Sequence, residues 1–250
     1  MRIERRDGVL WLRLDHPESR NALSLEDLHV LASALREVEE HGDRCVVITG
    51  QEPGSFSSGF RLGADAAAHM GSGSAKEAAD DLFALLPSVP VPTVAIVDGP
   101  ARGAGCELAL RCDLRVASDR ASFGIPAVRL GIPYPPESME FLVRRYGQGP
   151  VAWLLYAARQ VDANAALAQG LVQQVVSARK LPSTVNDLLD RITASAPLVQ
   201  RFLKTAVASA EGLVDRDAVS AAFAHATGSE DFAETLRAIA ERREPTFTGR

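Results

Sequence analysis

The sequence predicts an α/β fold that ends in a helical segment, and three observations carry that reading. Cys45 to Thr49 (CVVIT) and Thr93 to Val97 (TVAIV) are continuous apolar runs bounded by glycine and proline, the pattern of strands buried on both faces. Strand-like and helix-like stretches alternate across residues 1–180, so helices are expected to cover such a sheet. After Pro182 the strand signals cease, and only amphipathic helical patterns follow.

Val9 to Asp15 is a short β-branched and aromatic run, closed by the His16-Pro17 break. Ser24, with Asp27 three residues on, is a capping pair for a helix whose buried stripe is Leu28, Leu31, Leu35 and Val38. Gly71 to Ala75 (GSGSA) reads as a mobile loop ahead of a helix. Gly103 to Arg111 is a helix opening on glycine, Leu114 to Ala117 a strand, and Asp162 to Gly170 a helix with an N-cap and a glycine stop. The C-terminal helices are placed at Val185 to Ala194, Leu198 to Ala210, Asp215 to Ala226 and Glu230 to Arg243. The tail Glu244 to Arg250 is expected to fray. The division is therefore an α/β core over residues 1–180 and a helical unit over residues 181–250.

Composition narrows the function. The chain has 250 residues, with 27 Lys and Arg against 32 Asp and Glu, and a net charge of -5 offers no broad basic field for nucleic acid. Cys45, Cys106 and Cys112 form neither a CxxC pair nor a zinc pattern, which points to a reducing, cytoplasmic setting and no metal. The charged start at Arg2, Glu4, Arg5, Arg6 and Asp7 does not read as a secretory signal. No apolar stretch reaches the ~18 residues that a membrane span requires. There is no GxSxG elbow, no GxxxxGK[ST] loop and no HExxH, and Gly103-Ala104-Gly105 is followed by Leu108 where a dinucleotide fingerprint needs a third small residue.

Two segments stand out. Phe56-Ser57-Ser58-Gly59-Phe60 follows a buried strand and carries a glycine that permits close approach of a ligand. Asp98 to Glu107 turns a second buried strand through small residues into a helix, whose start presents unpaired N–H groups and a positive dipole end. Glu107, in the first turn of that helix, is either a partner of the dipole or a proton-transfer group.

Together these segments resemble the two signature stretches of the crotonase (enoyl-CoA hydratase/isomerase) superfamily. Arg20-Asn21-Ala22-Leu23 resembles the family's RNAL, FSSGF its first oxyanion segment, and Gly103 to Ser118 (GAGCELALRCDLRVAS) its second with the following strand. Ser122-Phe123-Gly124, Ala165 to Val172 (AALAQGLV) and the arginine-rich ending also fit. The resemblance implies a spiral of ββα turns with a C-terminal trimerisation module, in a homotrimer or a dimer of trimers. It also implies an acyl-CoA or enoyl-CoA substrate, with no cofactor beyond the coenzyme A of that thioester. By position, the Phe60 and Ala104 amides would form the oxyanion hole, and Arg20, Ala22, Ser58 and Phe60 would contact the coenzyme. Arg20 is otherwise a solvated surface charge.

The sequence also departs from the family. Hydratases of this kind use two glutamates, since adding water requires both a base and an acid. Glu107 matches the first, and Ala127 occupies the place of the second. Arg61 replaces a common acid, and the usual glycine-rich loop becomes Gly131 to Glu137 (GIPYPPE). Tyr134, Glu137 and Glu140 are candidate replacements, although each reads more simply as a helix-start or surface residue. Isomerisation by one base survives the loss of Glu at 127 better than hydration does, and the other reading is a thioester-binding protein without turnover. Leu198, Phe202, Ala206, Ala210 and Leu213, with the small face Ala218, Ala221, Ala222 and His225, would pack on the core or on a neighbouring subunit.

Overall fold

The computed structural model describes residues 1–50, 54–61 and 73–250. Nine strands form two sheets, and ten α-helices surround them among the described residues. The strands are β1 (Arg2–Arg6), β2 (Val9–Leu14), β3 (Cys45–Gly50), β4 (Thr93–Val97), β5 (Pro100–Arg102), β6 (Leu114–Ser118), β7 (Ser122–Gly124), β8 (Val161–Asp162) and β9 (Gln174–Val176). The large sheet has the order β1-β2-β3-β4-β6-β9, and the small one has the order β5-β7-β8. From β2 to β9 every pairing in the large sheet is parallel, and only β1 runs against its neighbour.

Successive turns give one strand to the large sheet and a shorter one to a second layer, as β4 with β5 and β6 with β7 show. Isolated parallel bridges, Leu23 to Phe60 and Ser57 to Ala101, extend that second layer back to the first turns. This is the repeated ββα winding that the resemblance implies.

Side chains alternate strictly across the parallel strands, since period-2 geometry sends neighbours to opposite faces. Leu10, Leu12, Val46, Ile48, Ala95 and Val97 enter the main core beneath the second layer and its helices. Trp11, Cys45, Val47, Val94 and Ile96 face the other way, where Leu181, Val185, Leu189 and Ile192 cover them. The two apolar runs are therefore buried on both faces, as their composition requires.

The helices are α1 (Leu25–Arg36), α2 (Ser74–Leu85), α3 (Ala104–Arg111), α4 (Pro136–Tyr146), α5 (Gln148–Leu155), α6 (Ala163–Ala168), α7 (Leu181–Ala194), α8 (Pro197–Ala210), α9 (Arg216–Thr227) and α10 (Glu230–Glu241). Ser24 caps α1 by accepting from the Asp27 amide at 3.2 Å, while the Asp27 carboxylate accepts from the Ser24 amide at 2.9 Å. Asp162 caps α6 through the Ala165 amide at 2.8 Å. No described helix is long and apolar enough to cross a membrane.

Three expectations need correction. Of the GSGSA stretch, Gly71 and Ser72 lie outside the described residues, and from Ser74 the chain is already helix α2. Helix α7 begins at Leu181 rather than Val185, because Pro182 sits in its first turn, where a missing N–H costs nothing. Residues 244–250 do not hang free: the Thr248 and Gly249 amides donate to the buried Asp231 carboxylate at 2.7 and 2.9 Å, and the Asp231 amide donates to the Arg250 carbonyl at 3.0 Å. Of the stripe expected to pack on the core or on a neighbouring subunit, Leu198 of α8 is buried and Phe202 packs edge-on against Phe223 of α9, with ring centroids 5.3 Å apart, while Leu213 is 39% exposed. The stripe left outward is Val199, Leu203 and Val207.

Candidate active site

The RNAL segment and the FSSGF segment are sewn together by backbone and side-chain bonds. The Ser58 amide donates to the Arg20 carbonyl at 2.9 Å, the Leu23 amide to the Gly59 carbonyl at 2.8 Å, and the Arg61 amide to the Leu23 carbonyl at 2.9 Å. Asn21 adds a side-chain bond to the Ser55 carbonyl at 2.6 Å, and Ser57 Oγ donates to the Asn21 carbonyl at 2.7 Å. Asn21 is thus a structural stitch, buried and held at φ 57°, which asparagine tolerates better than most residues.

The same FSSGF segment pairs with β5 on its other side. The Phe56 amide donates to the Pro100 carbonyl at 3.0 Å, and the Arg102 amide to the Ser57 carbonyl at 2.9 Å. This brings Gly59 against the start of α3. A side chain at Gly59 would place its Cβ 2.9 Å from the Arg102 carbonyl and 3.4 Å from the Ala104 nitrogen, at a φ of 95°. Glycine is required at that contact for both reasons. Gly103 turns the chain into α3 at φ 51°, ψ -127°, another conformation that favours glycine. Among the described residues, neither the Phe60 nor the Ala104 amide donates to a backbone carbonyl outside regular helix and strand pairing. Among the described residues, two donors without such a bond therefore lie on abutting segments, one of them at the positive end of a helix.

Both residues line a cleft of about 410 Å³ whose walls are mainly apolar, among them Leu25, Leu28, Ala79, Phe83, Ile125 and Ile132. Glu107 reaches the same cleft from α3, where it is 2% exposed. Its Oε1 accepts from Arg111 Nε at 2.8 Å, and its Oε2 accepts from the Tyr134 hydroxyl. Arg111, one turn further along α3, also donates to the Phe83 carbonyl at 2.9 Å and lies between the Phe83 and Phe141 rings at 4.9 and 4.2 Å. The Glu107 carboxylate is thus ion-paired inside a largely apolar pocket.

The structure unites Phe60, Ala104, Glu107, Ser58, Ala127 and Tyr134 in this one cleft. Arg20 and Ala22 do not line it: Arg20 is exposed beyond the Ser58 rim, and Ala22 is buried beneath. Ala127 presents a methyl group to the cleft at the start of the short turn Ala127–Leu130. Glu137 and Glu140 are exposed on α4, and Glu140 is paired with Arg144 at 2.5 Å. The surface reading holds for those two and fails for Tyr134, which packs against the main core with its hydroxyl inward. Burial, then the neighbouring Glu107 charge, pushes the Tyr134 phenol well above its usual range, so it stays neutral. Arg111 was legible as an i,i+4 partner of Glu107, a spacing that places two side chains on one helix face. Nothing in the local sequence marks Ser138, whose Oγ meets Arg111 at 3.4 Å.

Comparison with known proteins follows from this geometry. The family model described as enoyl-CoA hydratase/isomerase matches residues 4–250. The chain is 33% identical over 259 residues to a probable enoyl-CoA hydratase of Mycobacterium bovis, across 99% of this chain and 97% of that one. It is 32% identical over 261 residues to a crotonyl-CoA hydratase of Syntrophomonas wolfei, across 98% and 96% of the two chains. Among solved structures, an enoyl-CoA hydratase/carnithine racemase of Magnetospirillum magneticum matches with a TM-score of 0.88 and 26% identity, covering 99% of this chain and 95% of that one.

Proposed function

This chain belongs to the enoyl-CoA hydratase/isomerase family, and from that premise we propose that it moves the double bond of an enoyl-CoA thioester, with Glu107 as its one carboxylate base. The observation that carries this reading is the single cleft in which the Phe60 and Ala104 amides, Glu107 and the methyl group of Ala127 all meet.

The amides would donate to the thioester oxygen. Donors fixed before the reaction stabilise the oxyanion of an enolate more than the neutral carbonyl, and their advantage grows in a cleft that excludes water. Withdrawal of electrons into that hole acidifies the carbon next to the carbonyl, and its proton passes to Glu107. Returning the proton two carbons away completes an isomerisation without a water molecule. Hydration would need a second group to hold and split water, and alanine at 127 supplies none. The adenine and phosphates would run past Ser58 and Phe60 toward the exposed Arg20, with Ala22 buried beneath that path.

A second reading, binding of an acyl-CoA without turnover, is favoured by one feature: Arg111 and Tyr134 each hold an oxygen of Glu107. One experiment separates the two. Purified protein is presented with enoyl-CoAs of several chain lengths, and binding and turnover are measured independently for wild type and Glu107→Gln. We expect the variant to bind as before and to lose about 100-fold or more in turnover. Equal turnover in both proteins sinks the catalytic assignment, and wild-type binding with no turnover on any chain length selects the second reading.

A further inference from the structure

Glu107 is not free to swing. Arg111 holds Oε1 from Nε at 2.8 Å, with a second nitrogen 2.7 Å away. The guanidinium is itself fixed by the Phe83 carbonyl and by the two flanking rings. Oε1 is thereby committed, and Oε2 is the oxygen left to the cleft. A loose carboxylate can collect a proton with one oxygen and deliver it elsewhere with the other. A clamped one has only a single oxygen for both carbons, and a donor at a second position relieves it of the second transfer.

That position is occupied. We propose that Tyr134 is the second proton carrier of this site, acting with Glu107 as a relay on the enoyl-CoA; the inference rests on the isomerase reading above. In the first step Glu107 Oε2 takes a proton, the C–H bond breaks, and its electron pair enters a dienolate whose oxygen the Phe60 and Ala104 amides hold. In the second step the Tyr134 O–H bond breaks, and a C–H bond forms at the other carbon from the dienolate's electron pair. The proton on Glu107 then passes along the Tyr134–Glu107 hydrogen bond to the tyrosyl oxygen. Both residues end as they began, and neither water nor a redox partner is consumed.

The loop supports this use. Pro133, Pro135 and Pro136 surround Tyr134, and prolines preset the backbone and reduce the ways in which the phenol can turn away. The ring packs on the main core, and the hydroxyl donates directly to Glu107 in the cleft that Ala127 also lines. Glu137 and Glu140 cannot substitute, because neither lines the cleft.

The test uses the full chain and two readouts. Tyr134→Phe keeps the ring and removes the hydroxyl. Conversion of a 3-enoyl-CoA to its conjugated isomer is followed by absorbance, and deuterium uptake from heavy water at the α carbon by NMR. We expect isomerisation to fall about 100-fold, the usual contribution of one acid/base group, while deuterium uptake persists because Glu107 still performs the first step. Unchanged isomerisation overturns the relay. So does loss of both readouts together, which makes Tyr134 a mere support of Glu107. If Tyr134→Phe fails to fold, fluorinated tyrosine at position 134 keeps the shape and alters the phenol's acidity, and an isomerisation rate indifferent to fluorination overturns the proposal. Failure of the isomerase reading itself looks different: wild type would show neither uptake nor turnover, and Glu107→Gln would change nothing.

Discussion

Arg111 reaches back one turn of α3 to grip Glu107, nitrogen to oxygen at 2.7 Å, with the two side chains 6% and 2% exposed. Removing one partner of a buried pair strands the other's charge, which typically costs about 3–5 kcal/mol. We expect Arg111→Met to lower the unfolding free energy by roughly that amount in urea titrations. Adding Glu107→Gln should recover much of the loss, since no charge then remains buried. A single variant as stable as wild type would show that the pair contributes nothing to stability.

Ala127 lines the cleft, and the family resemblance assigns its position to a second carboxylate. Ala127→Glu should therefore raise the hydration of crotonyl-CoA above a weak wild-type rate, by supplying the missing partner for water. Rapid hydration by the wild-type protein would mean that another group already fills that role.

The three thiols give a signature in alkali. Burial pushes Cys45, Cys106 and Cys112 up to about 12, whereas an unfolded thiol titrates near about 8.5. Between those values the unfolded chain releases protons that the folded chain keeps. Stability is then constant below the lower value and falls as pH rises through the window, by about 1.4 kcal/mol per pH unit for each thiol. Urea midpoints measured across this range in wild type and in Cys→Ala variants should show a shallower decline with each thiol removed. Equal slopes in all of them would contradict the assignment. The same burial predicts that thiol reagents do not label the native protein.

Assembly is predicted from two stripes that the fold leaves open. Val199, Leu203 and Val207 recur every fourth residue of α8 at 40%, 53% and 53% exposure, and Phe232, Leu236 and Ile239 of α10 are 42%, 56% and 69% exposed. Apolar stripes of this length are characteristic of surfaces that bury against a partner. We expect a trimer or a dimer of trimers in sedimentation, with closed symmetry preventing open-ended association. Leu203→Glu with Leu236→Glu should dissociate it, and a wild-type monomer at micromolar concentration contradicts the prediction.

What was legible in the sequence was local. Buried parallel strands announce themselves as unbroken apolar runs, the Ser24–Asp27 box needs only its own four residues, and the glycine at 59 marks a place where the chain takes a positive φ. Strand β1 was not legible, because all five of its residues are exposed at the sheet edge and no face is selected for apolarity. Strands β5, β7 and β8 are two or three residues long, too short to carry a period.

By itself, then, the sequence determined the α/β class, because buried strands and capped helices depend on residue type at short spacing, while the two oxyanion segments, the role of Glu107 and the missing acid at position 127 were read from the family resemblance. Only the tertiary structure decided that Tyr134 turns inward to Glu107, that Arg111 is locked between Phe83 and Phe141, and that Asp231 captures the last residues of the chain. Those contacts join residues 17 to 30 positions apart, among them Tyr134 27 positions beyond Glu107 and Thr248 17 beyond Asp231. Their energies come from the burial of charge and polar hydrogens in a shared interior, which exists only once the sheets and helices have closed around it.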